Sequence, residues 1–141
     1  MSRLVWKLPE LPNMALSTNR RDKLHWGDRR KLTNEENVRW YALLAPRVRE
    51  AKDAGMEFPF QRARLSFKLT YPDRRSIHDD DNVEGALKVI RDTLMIATNR
   101  APTRWQLGVI VDDNPKHLTM TPPVQESYPG VSETVIEVEA L

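Results

Sequence analysis

RLSFKLTY, residues 64–71, is the clearest strand in the sequence, because its apolar and polar side chains alternate without a break. Side chains at alternate positions of a strand point to the same face of its sheet. The stretch therefore predicts a β-strand with one face on a hydrophobic core and the other face in water. The buried face is expected to carry Leu65, Phe67, Leu69 and Tyr71.

The residues before this strand predict a shorter strand and a long helix. Residues 3–8 (RLVWKL) are typical of a strand, and Pro9 closes it. After an irregular segment that reaches about Lys31, Thr33 is expected to cap a helix, with Glu36 as its capping-box partner. The helix should end near Gly55, and its apolar stripe is Val38, Tyr41, Leu44 and Val48.

The residues after the central strand predict a second helix and three more strands. Steps of four and three separate Val83, Leu87, Ile90, Leu94 and Ala97, so a helix is expected over residues 82–97. Residues 107–113, 117–121 and 134–139 are interpreted as strands. This order indicates an α/β or α+β fold over residues 1–141, a single small domain in which two main helices pack on a mixed sheet.

Composition narrows the possible chemistry. A chain of 141 residues with 40% hydrophobic residues is long enough for one core. No apolar run approaches the roughly 20 residues of a membrane span, and no signal peptide is recognisable, so a cytoplasmic protein without membrane contact is expected. With no cysteine, metal ligands are limited to Asp, Glu and His, which favours a hard, oxygen-bound metal.

Positive charge is concentrated near the N-terminus. Residues 20–31 (RRDKLHWGDRRK) contain six Lys or Arg against two Asp. Such a run is either a solvated loop or a surface for a polyanion. The aromatic residues His25 and Trp26 inside it favour nucleic acid.

Negative charge is concentrated in HDDDN, residues 78–82. Three neighbouring carboxylates repel one another unless something offsets the charge. Asp81 as the N-cap of the second helix, with Glu84 three residues later, accounts for one of them. Asp79, Asp80 and the pair Asp112 and Asp113 remain open between a solvated acidic loop and a metal site.

Two stretches, residues 71–114 and residues 11–19, carry a resemblance to a known family. YPDRRSIHDDDNVEGALKVIRDTL, residues 71–94, followed by VIVDDN, residues 109–114, resembles the RusA family of Holliday junction resolvases. The family pattern is similar to PDRRRxDxDN, then a helix with a lysine and a later aspartate, then a strand ending in DD. LPNMALSTN, residues 11–19, is similar to the Pro-rich opening of that family.

The resemblance implies a Mg²⁺-dependent homodimer, with Mn²⁺ as a substitute metal, that nicks four-way DNA junctions symmetrically in a bacterial or phage-infected cell. It implies that the metal ligands are Asp79, Asp81 and Asp113. Alternate residues of an extended segment would point Asp79 and Asp81 to one side. The residues expected to contact DNA are Arg20, Arg21, Arg29, Arg30, Arg74 and Arg75.

One position departs from the family pattern. Gly85 stands where the family has a lysine, so Lys88, one turn later, is the candidate catalytic lysine. A salt bridge to Glu84 or Asp92 is its alternative role. Because of this departure, two other functions stay open: a nuclease of the same fold that cuts other branched or duplex DNA, and a DNA-binding protein without catalysis.

Overall fold

Strand β2 (Ala63–Tyr71) is the centre of a five-stranded mixed sheet in a computed structural model that describes residues 2–96 and 105–141. The other strands are β1 (Arg3–Leu8), β3 (Leu118–Met120), β4 (Val124–Ser127) and β5 (Glu133–Ala140). β5 lies between β1 and β2 and is antiparallel to both. β3 and β4 pair in parallel with successive parts of the other edge of β2.

Helices cover one face of this sheet. They are α1 (Thr18–Arg21), α2 (Trp26–Asp53) and α3 (Asp80–Leu94), with short 3-10 turns at Met14–Leu16 and Arg74–Ser76. Trp40 and Leu44 of α2 and Leu87 of α3 belong to one buried cluster with Leu65 and Phe67 of β2. The opposite face carries cross-strand ion pairs, including one between Arg64 and Glu139 at 3.5 Å. The fold is α+β, as predicted.

The predicted strands at residues 3–8, 64–71 and 134–139 are confirmed to within a residue at each end. The alternation in β2 works as expected, since its four predicted core residues are buried. The second helix begins two residues earlier than predicted and ends at Leu94. Ala97, the last residue of its predicted stripe, lies outside the described residues. No helix in the described ranges is long and apolar enough to cross a bilayer.

The predicted start of the first long helix is wrong. α2 begins at Trp26, and the His25 side chain caps it by accepting a hydrogen bond from the Gly27 amide at 3.2 Å. Thr33 lies inside the helix and donates its hydroxyl to the Arg29 carbonyl. The Thr-x-x-Glu pattern is a local signal, and here a tertiary role for Glu36 overrides it.

Glu36 is buried and anchors the N-terminal segment instead of capping a helix. Its carboxylate accepts hydrogen bonds from the Asn13 amide at 3.1 Å and the Trp40 indole at 3.0 Å, and it pairs with Arg39 at 2.7 Å. These bonds hold the Pro-rich segment against α2.

The core stripe of α2 is only partly the predicted one. Leu44 and Val48 are buried as expected, but Val38 is 41% exposed. The buried apolar residues of α2 are Trp40, Leu44, Val48 and Ala51, so Trp40 takes the place expected for Tyr41. Tyr41, at the edge of this stripe, is half-buried and meets Trp105 edge-to-face.

The predicted strand at residues 107–113 does not form. Ile110 makes only isolated bridges to Phe60 and Met95, and Gly108 has a φ of 69°, which interrupts extended backbone. Val109 and Ile110 are still buried, so the apolar run was correctly interpreted as core but not as a strand. Strand β4 was missed, because its residues VQES are too polar to signal a strand.

Candidate metal and nucleic-acid site

The start of α3 forms one wall of an open pocket of about 550 Å³. This pocket, the acidic pocket below, is lined by Thr18, Asn19 and residues 78–82. Asp79, Asp80 and Asp81 are all exposed. Free backbone amides and the helix dipole favour carboxylates at a helix N-terminus, which offsets part of their mutual repulsion.

The prediction that Asp81 caps α3 is wrong. Asp79 occupies the N-cap position, and Asp80 and Asp81 are the first two helical residues. Asp79 and Asp81 therefore do not alternate along an extended segment, although both line the acidic pocket. Three consecutive aspartates offer three possible caps, and the apolar spacing of the helix does not choose among them.

The Pro-rich opening contacts the acidic pocket. The Thr18 hydroxyl donates to the Asp81 carbonyl at 3.0 Å, and the Asn19 amide donates to the Asn82 side-chain oxygen at 2.8 Å. These partners are 63 residues apart in the chain. The two stretches that carry the family resemblance thus lie against each other.

Gln125 of β4 holds the loop before the acidic pocket, and sequence reasoning missed it. Its side-chain oxygen accepts from the Tyr71 hydroxyl at 2.9 Å and the His78 amide at 3.1 Å. Its side-chain nitrogen donates to the His78 carbonyl at 2.6 Å and to Asp80 at 3.3 Å. Burial raises the pKa of Tyr71 to about 12, so its phenol stays a donor. No local signal could have identified Gln125, because its role depends on the pairing of β4 with β2.

His78 lies between the acidic pocket and a groove of about 330 Å³. Its ring Nδ1 is 3.2 Å from the Asn82 amide nitrogen. Arg20 and Arg75 line the same groove, and Arg74 is exposed in the neighbouring 3-10 turn.

Asp113 lies apart from the other two predicted metal ligands. Its carboxylate is 3.5 Å from Nε of Arg91, a buried guanidinium that also pairs with Glu84. It lines a different pocket, shared with Lys88 and Asp92. In residues 2–96 and 105–141, no group of three or more Asp, Glu or His side chains is arranged to hold a metal ion.

Asp112, the neighbour of Asp113, is fixed by hydrogen bonds. The Asp113 amide donates to its carboxylate at 2.7 Å, and the Asn114 side chain donates at 3.0 Å. The hydrogen bond from the Asp113 backbone amide is the main reason that the pKa of Asp112 is lowered. Asp112 therefore orders this turn as a charged side chain.

The structure shows the contacts of Lys88 and of Gly85, the position that departs from the family pattern. Lys88 pairs with Asp92 at 3.0 Å, one of the two salt bridges foreseen as its alternative role. A Cβ atom at Gly85 would lie 2.5 Å from the Leu16 carbonyl oxygen and 2.6 Å from the Thr18 amide nitrogen. Because both are backbone atoms, the chain has no room for a lysine at this position.

The remaining predicted DNA-binding arginines share a second pocket. Arg21, Arg29 and Arg30 line a cavity of about 450 Å³ together with Trp26 and Lys88. This cavity, called the basic pocket below, is built on α1, α2 and α3, and α1 and α3 also form the acidic pocket. Residues 97–104, which include Arg100 and Arg104, lie outside the described residues.

Comparison with protein-family models and curated proteins identified no relative of this chain. No protein-family model matches the chain, and no curated protein is significantly similar to it. The functional content of the RusA resemblance is therefore a proposal.

Proposed function

We propose that the chain is a metal-dependent endodeoxyribonuclease that resolves four-way DNA junctions during recombination and repair. One observation carries the proposal: exposed Asp79 and Asp81 line one open pocket, and arginines line both the groove that shares His78 with it and the basic pocket built on the same helices, α1 and α3. Carboxylates can hold a divalent cation, and arginines attract the phosphate backbone on which that cation would act.

Asp79 and Asp81 fit Mg²⁺, or Mn²⁺ as its substitute. Mg²⁺ keeps several waters and commonly uses one or two carboxylates together with substrate phosphate oxygens, so an open pocket with two carboxylates is sufficient. When bound, such a metal lowers the pKa of a water for attack and neutralises charge on the phosphoryl oxygens.

Asp113 is proposed as a third ligand that is not in place. Its contact with Arg91 would have to break before its carboxylate could join Asp79 and Asp81. The Arg91 guanidinium is buried and also pairs with Glu84, so it would keep a carboxylate partner if Asp113 left. The remaining parts of the site are held by the chain itself, since Gln125 fixes the backbone of His78 on both sides.

The function is tested with a labelled mobile junction and a linear duplex of the same sequence, each with Mg²⁺ and with a chelator. Paired symmetric nicks in the junction alone, and only with metal, are expected. Equal cutting of the linear duplex would replace the proposal with a general nuclease of this fold. Tight binding without any cleavage would indicate a DNA-binding protein. The lack of space for a lysine at position 85 favours this alternative.

Asp81→Asn should abolish cleavage while junction affinity stays equal or rises, because it removes a proposed ligand and one negative charge that faces a phosphate. Single-turnover cleavage and a gel-shift assay measure the two effects. Asp53→Asn, which removes the same charge at the far end of α2, is the matched control and should cut normally. Normal cleavage by a folded Asp81→Asn protein would reject the assignment.

A further inference from the structure

The basic pocket combines an excess of positive charge with an exposed aromatic ring. Four basic side chains line it, Arg21, Arg29, Arg30 and Lys88, against one carboxylate, Asp92. That carboxylate is already paired with Lys88. The arginines therefore leave a strong positive charge facing the cavity.

Among the described residues, the one ion pair of these three arginines is a long one, 3.8 Å between Nε of Arg21 and the Asp22 carboxylate. Among residues 2–96 and 105–141, Arg29 and Arg30 have no carboxylate within ion-pair distance. The Nε atom of Arg21 is buried and makes no hydrogen bond to the described residues. A buried donor without a partner is costly, and an anionic ligand would satisfy it.

Trp26 supplies the second part of the pocket. It is the first residue of α2, and its side chain is 63% exposed. In the described chain its ring contact is with His25, at 6.0 Å between ring centres. Proteins bind single-stranded nucleic acids with this combination of an exposed aromatic ring and basic side chains, because a base stacks on the ring and the phosphates contact the cations.

We propose that the basic pocket holds an unpaired nucleotide of a DNA strand, with its base on the Trp26 ring and its phosphates among Arg21, Arg29 and Arg30. Bases inside a duplex already stack on both neighbours, so a protein ring gains a stacking partner only where a base is unpaired. The cavity of about 450 Å³ lies within the range of small-ligand pockets, about 300–1,000 Å³. The inference rests on the proposed function, and it specifies that the DNA substrate has an unpaired base near the acidic pocket.

The test measures binding of a labelled oligothymidylate and of a duplex of equal length by fluorescence anisotropy, in chelator so that neither is cut. Trp26→Ala should weaken single-strand binding about 5- to 100-fold, the range for loss of one stacked base, and change duplex binding less than about twofold. Trp26→Phe keeps a ring and should recover most of the affinity. Tyr128→Ala, which removes an aromatic ring that is 66% exposed outside the pocket, is the matched control and should bind like wild type.

A second readout detects stacking itself. Binding of the oligothymidylate should quench indole emission in wild type but much less in Trp26→Phe. Of the other three tryptophans, Trp6 and Trp40 are buried, and half-buried Trp105 packs on Tyr41 and does not line the basic pocket. Equal single-strand affinity of folded Trp26→Ala and Tyr128→Ala proteins would overturn the inference.

The nuclease assay keeps the two proposals separate. If the protein cuts junctions but Trp26→Ala binds single strands like wild type, the nucleotide pocket is rejected and the nuclease proposal stands. Loss of single-strand binding in Trp26→Ala, in a protein that cuts no DNA, would support the pocket and reject the nuclease.

Discussion

Gly85 shows how a single residue sets the distance between α1 and α3. Its missing side chain lets the backbone of residues 16–18 lie directly on the helix. The sequence identified Gly85 only as a departure from a pattern, because the reason for it is a contact with a segment about 70 residues earlier. Asp79 and Asp81 could be predicted as site residues from their local clustering, whereas Gln125 and Glu36 act through distant partners and could not.

Gly85→Ala should lower the free energy of unfolding by about 1–3 kcal/mol, the usual cost of overpacking, because the new Cβ meets backbone atoms that cannot rotate away. Urea unfolding measures the change. Gly27→Ala, whose Cβ would lie 3.4 Å from the His25 ring, is the control and should be neutral or stabilising. Equal stability of the two variants would mean that α1 does not pack as described.

The raised pKa of Tyr71 predicts that the protein loses stability at alkaline pH. Its folded-state pKa, about 12, lies above the ordinary value of 10, so its contribution is complete below pH 10 and is lost as the pH rises from 10 to 12. At pH 11 wild type should have lost about 1.4 kcal/mol that Tyr71→Phe, with no group to ionise, does not lose.

Urea unfolding of both proteins at pH 9 and pH 11 measures this difference. Tyr128→Phe, at an exposed position, should lose as much stability as wild type. A gap between wild type and Tyr71→Phe that is the same at both pH values would contradict the prediction.

At the scale of elements, α2 differs most from its prediction. Thr33 and Glu36 form a good local capping pattern, yet the N-cap is His25, eight residues earlier, and the helix starts at Trp26. Its first turns therefore carry Arg29 and Arg30, and a helix N-terminus is the end at which positive charge is disfavoured. Such placement does not help the helix, which is consistent with a role for these arginines in binding.

The double variant Arg29→Ala, Arg30→Ala should bind DNA more weakly and with a flatter dependence of log affinity on log salt, by roughly 0.9 per lost duplex phosphate contact. Its stability should be unchanged or higher, because two cations leave the positive end of the α2 dipole. Cleavage at saturating protein should recover much of the wild-type rate, since Asp79 and Asp81 are untouched.

Affinity measured across a salt series tests this prediction. The matched control is Arg47→Ala, Arg49→Ala, which removes the same charge nearer the other end of α2 and should keep the wild-type slope. A wild-type slope in the Arg29 and Arg30 variant would mean that the basic residues 20–31 are a solvated surface that does not contact DNA.

At the scale of the whole molecule, the alternating and helical patterns predicted most of the fold. β1, β2 and β5 were predicted because each has one apolar face, and α3 was predicted by its spacing of three and four. β4 was not, because its polar residues join the sheet through backbone pairing with β2. The placement of Asp113 was not predictable either, since the strand expected to deliver it does not form and Arg91 holds it elsewhere.

A homodimer is expected from the proposed activity, because one site cuts one strand and a junction must be nicked on two symmetry-related strands. Light scattering on the protein alone and on its junction complex measures the subunit number. Two subunits on the junction are predicted, and a single subunit in both samples would contradict the paired-nick mechanism.

Residues 13–19 contribute to both pockets, since Leu16 lines the basic pocket and Thr18 and Asn19 line the acidic pocket. The Asn13 amide donates to Glu36, and the Asn19 amide donates to Asn82. Between these two bonds the Thr18 hydroxyl donates to the Asp81 carbonyl, and the local structure is a 3-10 turn and the start of α1. A buried or bonded amide exchanges its proton for deuterium only on opening. We expect residues 13–19 to open as one unit, so the Asn13 and Asn19 amides should show the same free energy of opening in hydrogen–deuterium exchange. Different values would mean that the two pockets open separately.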